Sequence, residues 1–274
     1  MGANEFERRR WNDESWAALW PRRERLTDKV TEYLLAALAL RAGERVLEVG
    51  SGGGKAALAA AEAVCGKGAV VGADLSAPLN RLAEQRVSEA GAGNVMFCLA
   101  DVQTDTVEGG PFDAAMSQFG VMFFDEPIVA FSNIRAHLKP AGRIAFACWQ
   151  SSEQNPWFFA PAIAQFLLPP PEPEPGKSST GPFALADPEQ TTAVLHAAGF
   201  TQVDRTPHAL EVEAPEDSIV DEAQLVFMGV PEERLSAAKV AVDQHMQQFR
   251  IDAQRSRFPL AFQIFKASRP LLAA

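Results

Sequence analysis

The stretch RVLEVGSGGGKAALAAAEAV, Arg45 to Val64, sets four glycines within five residues between an apolar run and an alanine-rich one. Val46, Leu47 and Val49 favour a strand, Gly50 to Gly54 permit a tight turn that another backbone can approach, and Ala56 to Val64 favour a helix. In a strand–turn–helix unit the first N–H groups of the helix face the turn, and polar or anionic ligand groups commonly bind there.

Three glycine-rich loops share this outline. A phosphate-cradling P-loop requires Gly-x-x-x-x-Gly-Lys-Ser/Thr, but Val49 stands at the first glycine and Ala56 replaces the hydroxyl after Gly54-Lys55. A dinucleotide fingerprint can be threaded through Gly52, Gly54 and Ala57, yet Glu48 would then set a carboxylate near a doubly charged pyrophosphate, and the two would repel. The same carboxylate suits a cofactor with an ammonium and a sulfonium, which points to S-adenosylmethionine. Two more acids follow at strand ends. GAVVGAD, Gly68 to Asp74, reads as a second strand whose Asp74 can accept from both ribose hydroxyls, a spacing NAD sites share. NVMFCLADV reads as a third strand followed by Asp101, which can accept from an adenine amino group.

The ordered blocks VLEVGSGGGKAALAAA, VVGADLS, NVMFCLADVQ, PFDAAMSQFGVMFFDEP, NIRAHLKPAGRIAFACW and GPFALADPEQTTAVLHAAGF resemble a class I S-adenosylmethionine-dependent methyltransferase. The likeness runs from about Arg45 to Phe200 and is closest to the small-molecule branch similar to ubiquinone and menaquinone C-methyltransferases. It implies a doubly wound α/β fold, a mostly parallel seven-stranded sheet with helical lid insertions. It also implies that Glu48, Gly50, Ser51 and Gly52 meet the methionine end, Asp74 and Leu75 the ribose, Asp101 and Val102 the adenine, and Gln118 the methionine and sulfonium. Ser51-Gly52-Gly53-Gly54 departs from the family's usual Cys-Gly-Thr-Gly but keeps a small, flexible turn.

Bulk properties suit an enzyme of small molecules. The 274 residues and 47% hydrophobic content allow one large α/β domain with elaborations. A net charge of −10, with Arg8-Arg9-Arg10 as the only basic run, disfavours a nucleic-acid substrate. Cys65, Cys98 and Cys148 are odd in number and far apart, which fits reduced, buried thiols and a cytoplasmic setting, and no metal-ligand spacing occurs. Neither a signal peptide nor an apolar run long enough to span a bilayer is present, so no membrane partner is expected.

Along the chain the expected parts are an N-terminal helical arm (1–40), a cofactor-binding core (41–150), an apolar helix with a Pro-rich loop (151–187), a return to the core (188–206), a helical lid insertion (207–258) and a final strand with tail (259–274). Trp11, Trp16 and Trp20 crowd the arm, ahead of an amphipathic helix that carries Val30, Leu34 and Leu38; core packing accounts for them, or Trp11 and Trp20 close over cofactor or substrate. QFGVMFF follows the fourth strand at the end of the sheet where ligands bind, so Phe119, Met122 and Phe123 are candidates for a substrate wall. The apolar helix is expected over Trp157 to Leu168 and strand six near Thr201 to Thr206. Lid helices are expected over Asp217 to Met228 and Glu232 to Phe249, and the last strand over Pro259 to Lys266. Trp149, Trp157, Met228 and Met246 join the candidate pocket wall. His208 and His245 fall in the presumed lid and are the histidines to weigh for catalysis, against a structural role for each.

The expected activity is methyl transfer to an oxygen, nitrogen or carbon of a small, hydrophobic metabolite, by a monomer or homodimer. The rivals are a non-catalytic cofactor-binding protein on the same scaffold and an NAD(P)-dependent oxidoreductase. Glu48 disfavours the latter, as does the lack of a Tyr/Lys pair, since Tyr33 is the sole tyrosine.

Overall fold

The computed structural model describes residues 5–167, 180–215 and 222–271. Strands β1 (Arg45–Val49), β2 (Ala69–Asp74), β3 (Val95–Leu99), β4 (Phe112–Gln118), β5 (Leu138–Trp149), β6 (Thr201–Pro215) and β7 (Arg255–Ser268) form one sheet in the order 3-2-1-4-5-7-6. The first five pair in parallel, and β7 lies antiparallel between β5 and β6. The strand order reverses at β1 and β4, which opens a crevice at their carboxyl ends.

Helices α1 (Glu5–Trp11), α2 (Glu14–Arg23) and α3 (Asp28–Leu38) precede β1. The expected apolar face of α3 is realised: Val30, Leu34 and Leu38 are buried against α4 (Lys55–Val64) and the sheet. In α4, Ala57, Ala60 and Ala61 are buried, and their small side chains let the helix lie close to the strands. The opposite face carries α6 (Pro127–His137) and α8 (Pro188–Ala197), which contribute Phe131, Ile134 and Leu195 to a second core layer. Helix α5 (Ala77–Ala90) follows β2, its first turn capped by Ser76, which accepts from the Leu79 amide.

Three boundaries differ from the sequence expectation. Strand β6 runs to Pro215 rather than Thr206, and β7 begins at Arg255, so the two ends of 207–258 are β-ribbon. Leu210, Val212 and Ala214 pair with Leu260, Phe258 and Ser256, and Pro207 is tolerated because β6 is the edge of the sheet. The apolar segment from Trp157 forms only a single turn of helix, α7 (Ala160–Ile163), because Pro161 cannot sit inside a longer one. The Pro-rich loop, with Leu168, lies outside the described residues, as do 216–221 at the start of the expected lid helix; the remainder of that helix is α9 (Glu222–Phe227). The second lid helix is α10 (Leu235–Met246), with 3₁₀ turns at Glu232–Arg234 and Gln247–Phe249 filling the expected span. Phe159, Ile163, Leu225, Val242 and Phe258 form a third apolar cluster, so α7, α9 and α10 make a cap at the far end of the β6–β7 ribbon.

The turn after β1 depends on two glycines that face each other. Gly50 has φ +68°, and a Cβ there would lie 2.8 Å from the Gly120 Cα, a backbone atom with little room to move. Gly50→Ala is therefore expected to cost roughly 1–3 kcal/mol of stability in urea unfolding; an unchanged midpoint would show that the β1 and β4 turns do not depend on this approach.

Candidate active site

The turn and the carboxyl ends of β1, β2 and β4 open into a cavity of about 310 Å³ that the arm and the cap cover. Its floor brings together all the residues the sequence marked for a cofactor: Glu48, Gly50, Ser51, Gly52, Asp74, Leu75, Asp101, Val102 and Gln118. Glu48 pairs in register with Gly72, where a Cβ would come within 2.4 Å of Phe97 and 2.9 Å of the Ser51 Cβ. A glycine is thus required beneath the turn that sits beside Glu48.

Glu48 is 1% exposed, and its Oε2 has no hydrogen-bond partner. Burial, then the neighbouring Asp74, lifts its carboxyl well above the ordinary value of 4.5. Burial also raises Asp74, although the amides of Gly52 and Ser76 donate to its two oxygens at 2.7 and 2.8 Å. Asp101 is buried as well; its Oδ1 accepts from the Gln103 amide at 3.1 Å, and Arg8 reaches Oδ2 at 3.4 Å. Gln118 is held by Thr31, whose hydroxyl donates to Oε1 at 2.8 Å.

This acceptor-rich floor fits S-adenosylmethionine. An ammonium and a sulfonium would relieve the repulsion between Glu48 and Asp74, whereas a pyrophosphate would add to it. Glu48 and the turn could hold the methionine end, Asp74 the ribose and Asp101 the adenine, each from the end of a different strand. Among the described residues no cluster of three or more His, Cys, Asp or Glu could hold a metal ion, and no helix is long and apolar enough to cross a membrane.

The N-terminal arm roofs the floor. Asn12 donates to the Leu75 carbonyl at 3.0 Å and accepts from the Ala77 amide at 2.9 Å, and Ser76 donates to the Trp11 carbonyl at 2.6 Å. Trp20 lies on the glycine turn, 2.9 Å from where a Gly52 Cβ would stand. Trp11 meets Phe123 and Phe227 edge-on at 5.1 and 5.3 Å, and Trp16 stacks on Phe227 at 4.0 Å. Phe119 stacks on Trp149 at 4.0 Å, and Trp157 adjoins Trp149 at 5.6 Å. With Met122 and Met228, every expected pocket residue except Met246 lines the cavity. Met246 is 2% exposed and packs inside the cap's own core.

The two histidines do not reach the cavity. His208, on β6, stacks on Phe262 and lies tilted against Tyr33, and burial lowers its pKa. His245 sits on α10 with Nε2 2.7 Å from the Pro156 carbonyl oxygen. The extra length of β6 carries His208 along the ribbon rather than into the lid. His137 accepts from the Val107 amide through Nε2 and so donates from Nδ1 to the Asn133 carbonyl, a structural role. Of the cysteines, Cys148 is buried and pushed up to about 12 by burial, but Cys65 is exposed, because its backbone turns out of α4 with φ +58°. Arg10, Arg23 and Gln224 line the cavity without having been marked for a cofactor or a pocket wall, whereas Phe227, a lining candidate from the sequence, does line it. The signal for the arginines was their alternation with tryptophans along the arm.

A methyltransferase-domain family model matches residues 46–142, which span the three acids and the glycine turn. An aklanonic acid methyltransferase from Streptomyces sp. (strain C5) is 33% identical over 104 residues, 38% of this chain and 47% of that one. A nocamycin O-methyltransferase from Saccharothrix syringae is 29% identical over 195 residues, 68% of this chain and 69% of that one. The chain thus spans about half the length of the first of these relatives. In structure, a putative methyltransferase from Bacillus halodurans C-125 superposes with a TM-score of 0.60 at 18% identity, covering 88% of this chain and 98% of that one.

Once the pH passes 4.5, the folded chain retains a proton on Glu48 that the unfolded chain has released. The ligand-free protein therefore loses stability as pH rises from that value to the raised one, and keeps it below. Glu48→Gln should flatten part of this slope in urea titrations at stepped pH, with Asp74 leaving the rest. A variant with the wild-type slope would mean that Glu48 is ionised in the folded chain.

Proposed function

We infer that this chain, a member of the class I S-adenosylmethionine-dependent methyltransferases, moves the cofactor's methyl group to an oxygen, nitrogen or carbon of a small, mainly apolar metabolite. The single observation that carries the reading is the buried, unpartnered Oε2 of Glu48 on a floor of three strand-end acids. The Streptomyces and Saccharothrix relatives act, by their names, on aklanonic acid and nocamycin, and the aromatic far wall suits acceptors of that size class.

S-adenosylmethionine, when bound, supplies a methyl carbon already made electrophilic by its sulfonium. The residues' work is then to bind, orient and exclude water. In this reading Glu48, Ser51 and the backbone of Gly50 and Gly52 receive the methionine end, Asp74 and Leu75 the ribose, Asp101 and Val102 the adenine. Gln118, oriented by Thr31, faces the reacting region. Trp11, Trp20, Phe119, Met122, Phe123, Trp149, Trp157 and Met228 hold the acceptor in line with the methyl group and keep water out, a positional effect that can supply several kcal/mol. No histidine takes part. We place the enzyme in the cytoplasm, as a monomer or homodimer without nucleic-acid or membrane partners. Reduced thiols support the compartment, and the net charge of −10 supports the lack of nucleic acid.

Asp74→Ala should weaken binding of S-adenosylhomocysteine by roughly 1.5–3 kcal/mol in calorimetry, the scale of hydrogen bonds to a charged group. Wild-type protein should bind both S-adenosylmethionine and S-adenosylhomocysteine and leave NADH unbound. Tight NADH binding with no S-adenosylmethionine binding would sink the assignment.

A further inference from the structure

The floor of the cavity and the wall formed by the arm and the cap differ in charge. Besides Glu48, Asp74 and Asp101 on the cofactor floor, the carboxylates among the described lining residues are Glu24 and Asp28, and each is held by a cation. Arg86 binds Glu24 in a fork at 2.9 and 2.5 Å, and Lys55 reaches Asp28 at 2.6 Å. The far wall is the reverse. Arg10 lies over the Phe227 ring at 4.2 Å, Phe227 stacks on Trp16 at 4.0 Å, and Arg23 lies over the Trp16 ring at 4.8 Å. Cation, aromatic, aromatic and cation thus form one column along the cavity wall.

At Arg10 and Trp16 the donors exceed the acceptors among the described residues. Arg23 is held by Gln224 through Oε1. Arg10 has Glu7 at 3.8 Å, but Glu7 also accepts from the Trp11 indole at 3.0 Å and the Thr180 hydroxyl at 2.8 Å. Burial raises the Glu7 carboxyl and lowers the Arg10 guanidinium from their ordinary values, and the attraction between the two opposes both shifts. Arg10 Nε and Trp16 Nε1 are buried and lack hydrogen-bond partners. A neutral hydrocarbon against this wall would leave both donors unmet, at a cost of about 1–3 kcal/mol each. An oxyanion with an aromatic body would meet the donors and the aromatic faces together.

We propose that the acceptor is a flat, apolar acid bound as its anion at the Arg10–Phe227–Trp16–Arg23 column, with Arg10 as the residue that selects it. The proposal relies on the methyl-transfer reading for calling the bound acid the acceptor; the anion site itself stands on the column. It also matches a cavity in which no described histidine offers a base, because an acid that arrives ionised has no proton to lose.

The probes are 2-naphthoate and its neutral isostere 2-naphthamide, titrated by tryptophan fluorescence and calorimetry into the full chain, with and without saturating S-adenosylhomocysteine. Naphthoate should bind at least about tenfold more tightly than the amide, the scale of one charge-assisted hydrogen bond. Arg10→Met should bring that ratio below about threefold, Arg10→Lys should retain part of it, and S-adenosylhomocysteine affinity should stay within about twofold in both. Equal binding of the two probes by wild type, no naphthoate binding at millimolar concentration, or an unchanged ratio in Arg10→Met would each overturn the proposal. The wild-type ratio decides the matter even if a variant fails to fold. Failure of S-adenosylhomocysteine to bind would instead count against the methyl-transfer reading, while the probe ratio on the ligand-free chain still judges the anion site.

Discussion

A carboxylate that its own fold does not neutralise governs this structure. Glu48 stands near the end of a central strand with one oxygen unpartnered and a second acid, Asp74, beside it. Local architecture serves to keep that arrangement in place. Gly72 makes room under the turn, Gly50 and Gly120 let the two loops meet, and the alanines of α4 bring a helix close enough to form the wall. Burial and Asp74 favour a protonated Glu48 in the ligand-free chain, and a cationic ligand would shift it toward the ionised form.

Above the floor, cover and contents are the same residues. The arm is fastened through Asn12 and Ser76 to the backbone beside Asp74, and its tryptophans form much of the aromatic lining. The segment that covers the cavity therefore also supplies part of its aromatic wall. This arrangement explains how a large share of the chemistry can be positional, with neither His208 nor His245 near the cavity.

The floor was legible in the sequence because its determinants are local. A strand, a glycine turn and an acid at each strand end are short-range signals, and Glu48, Asp74 and Asp101 could be placed by counting along the chain. The aromatic wall was legible but for one residue: Trp11, Phe123 and Met228 line the cavity as their positions suggested, whereas Met246 turned inward into the core of the cap. Pro207 hid the continuation of β6, since a proline reads as an interruption unless the strand is known to be an edge, and edge status is a property of the whole sheet. Arg10 and Arg23 were hidden for a similar reason. Each reads as an ordinary helix-surface charge until Phe227, more than two hundred residues later, supplies the ring beneath Arg10 and stacks on Trp16.

The β6–β7 ribbon separates two evolutionary tasks. Its ladder pairs Thr201 with Ser268 at one end and Pro215 with Arg255 at the other, so the sheet edge is complete before the chain departs into α9 and α10. The described residues between these strands, 222–254, are in effect a hairpin loop enlarged into a cap. Such a segment can be exchanged, lengthened or recombined between related genes without shifting a strand that carries Glu48, Asp74 or Asp101. A change confined to that ribbon tip would reach the cavity through Gln224, Phe227 and Met228 alone among the described residues of the segment.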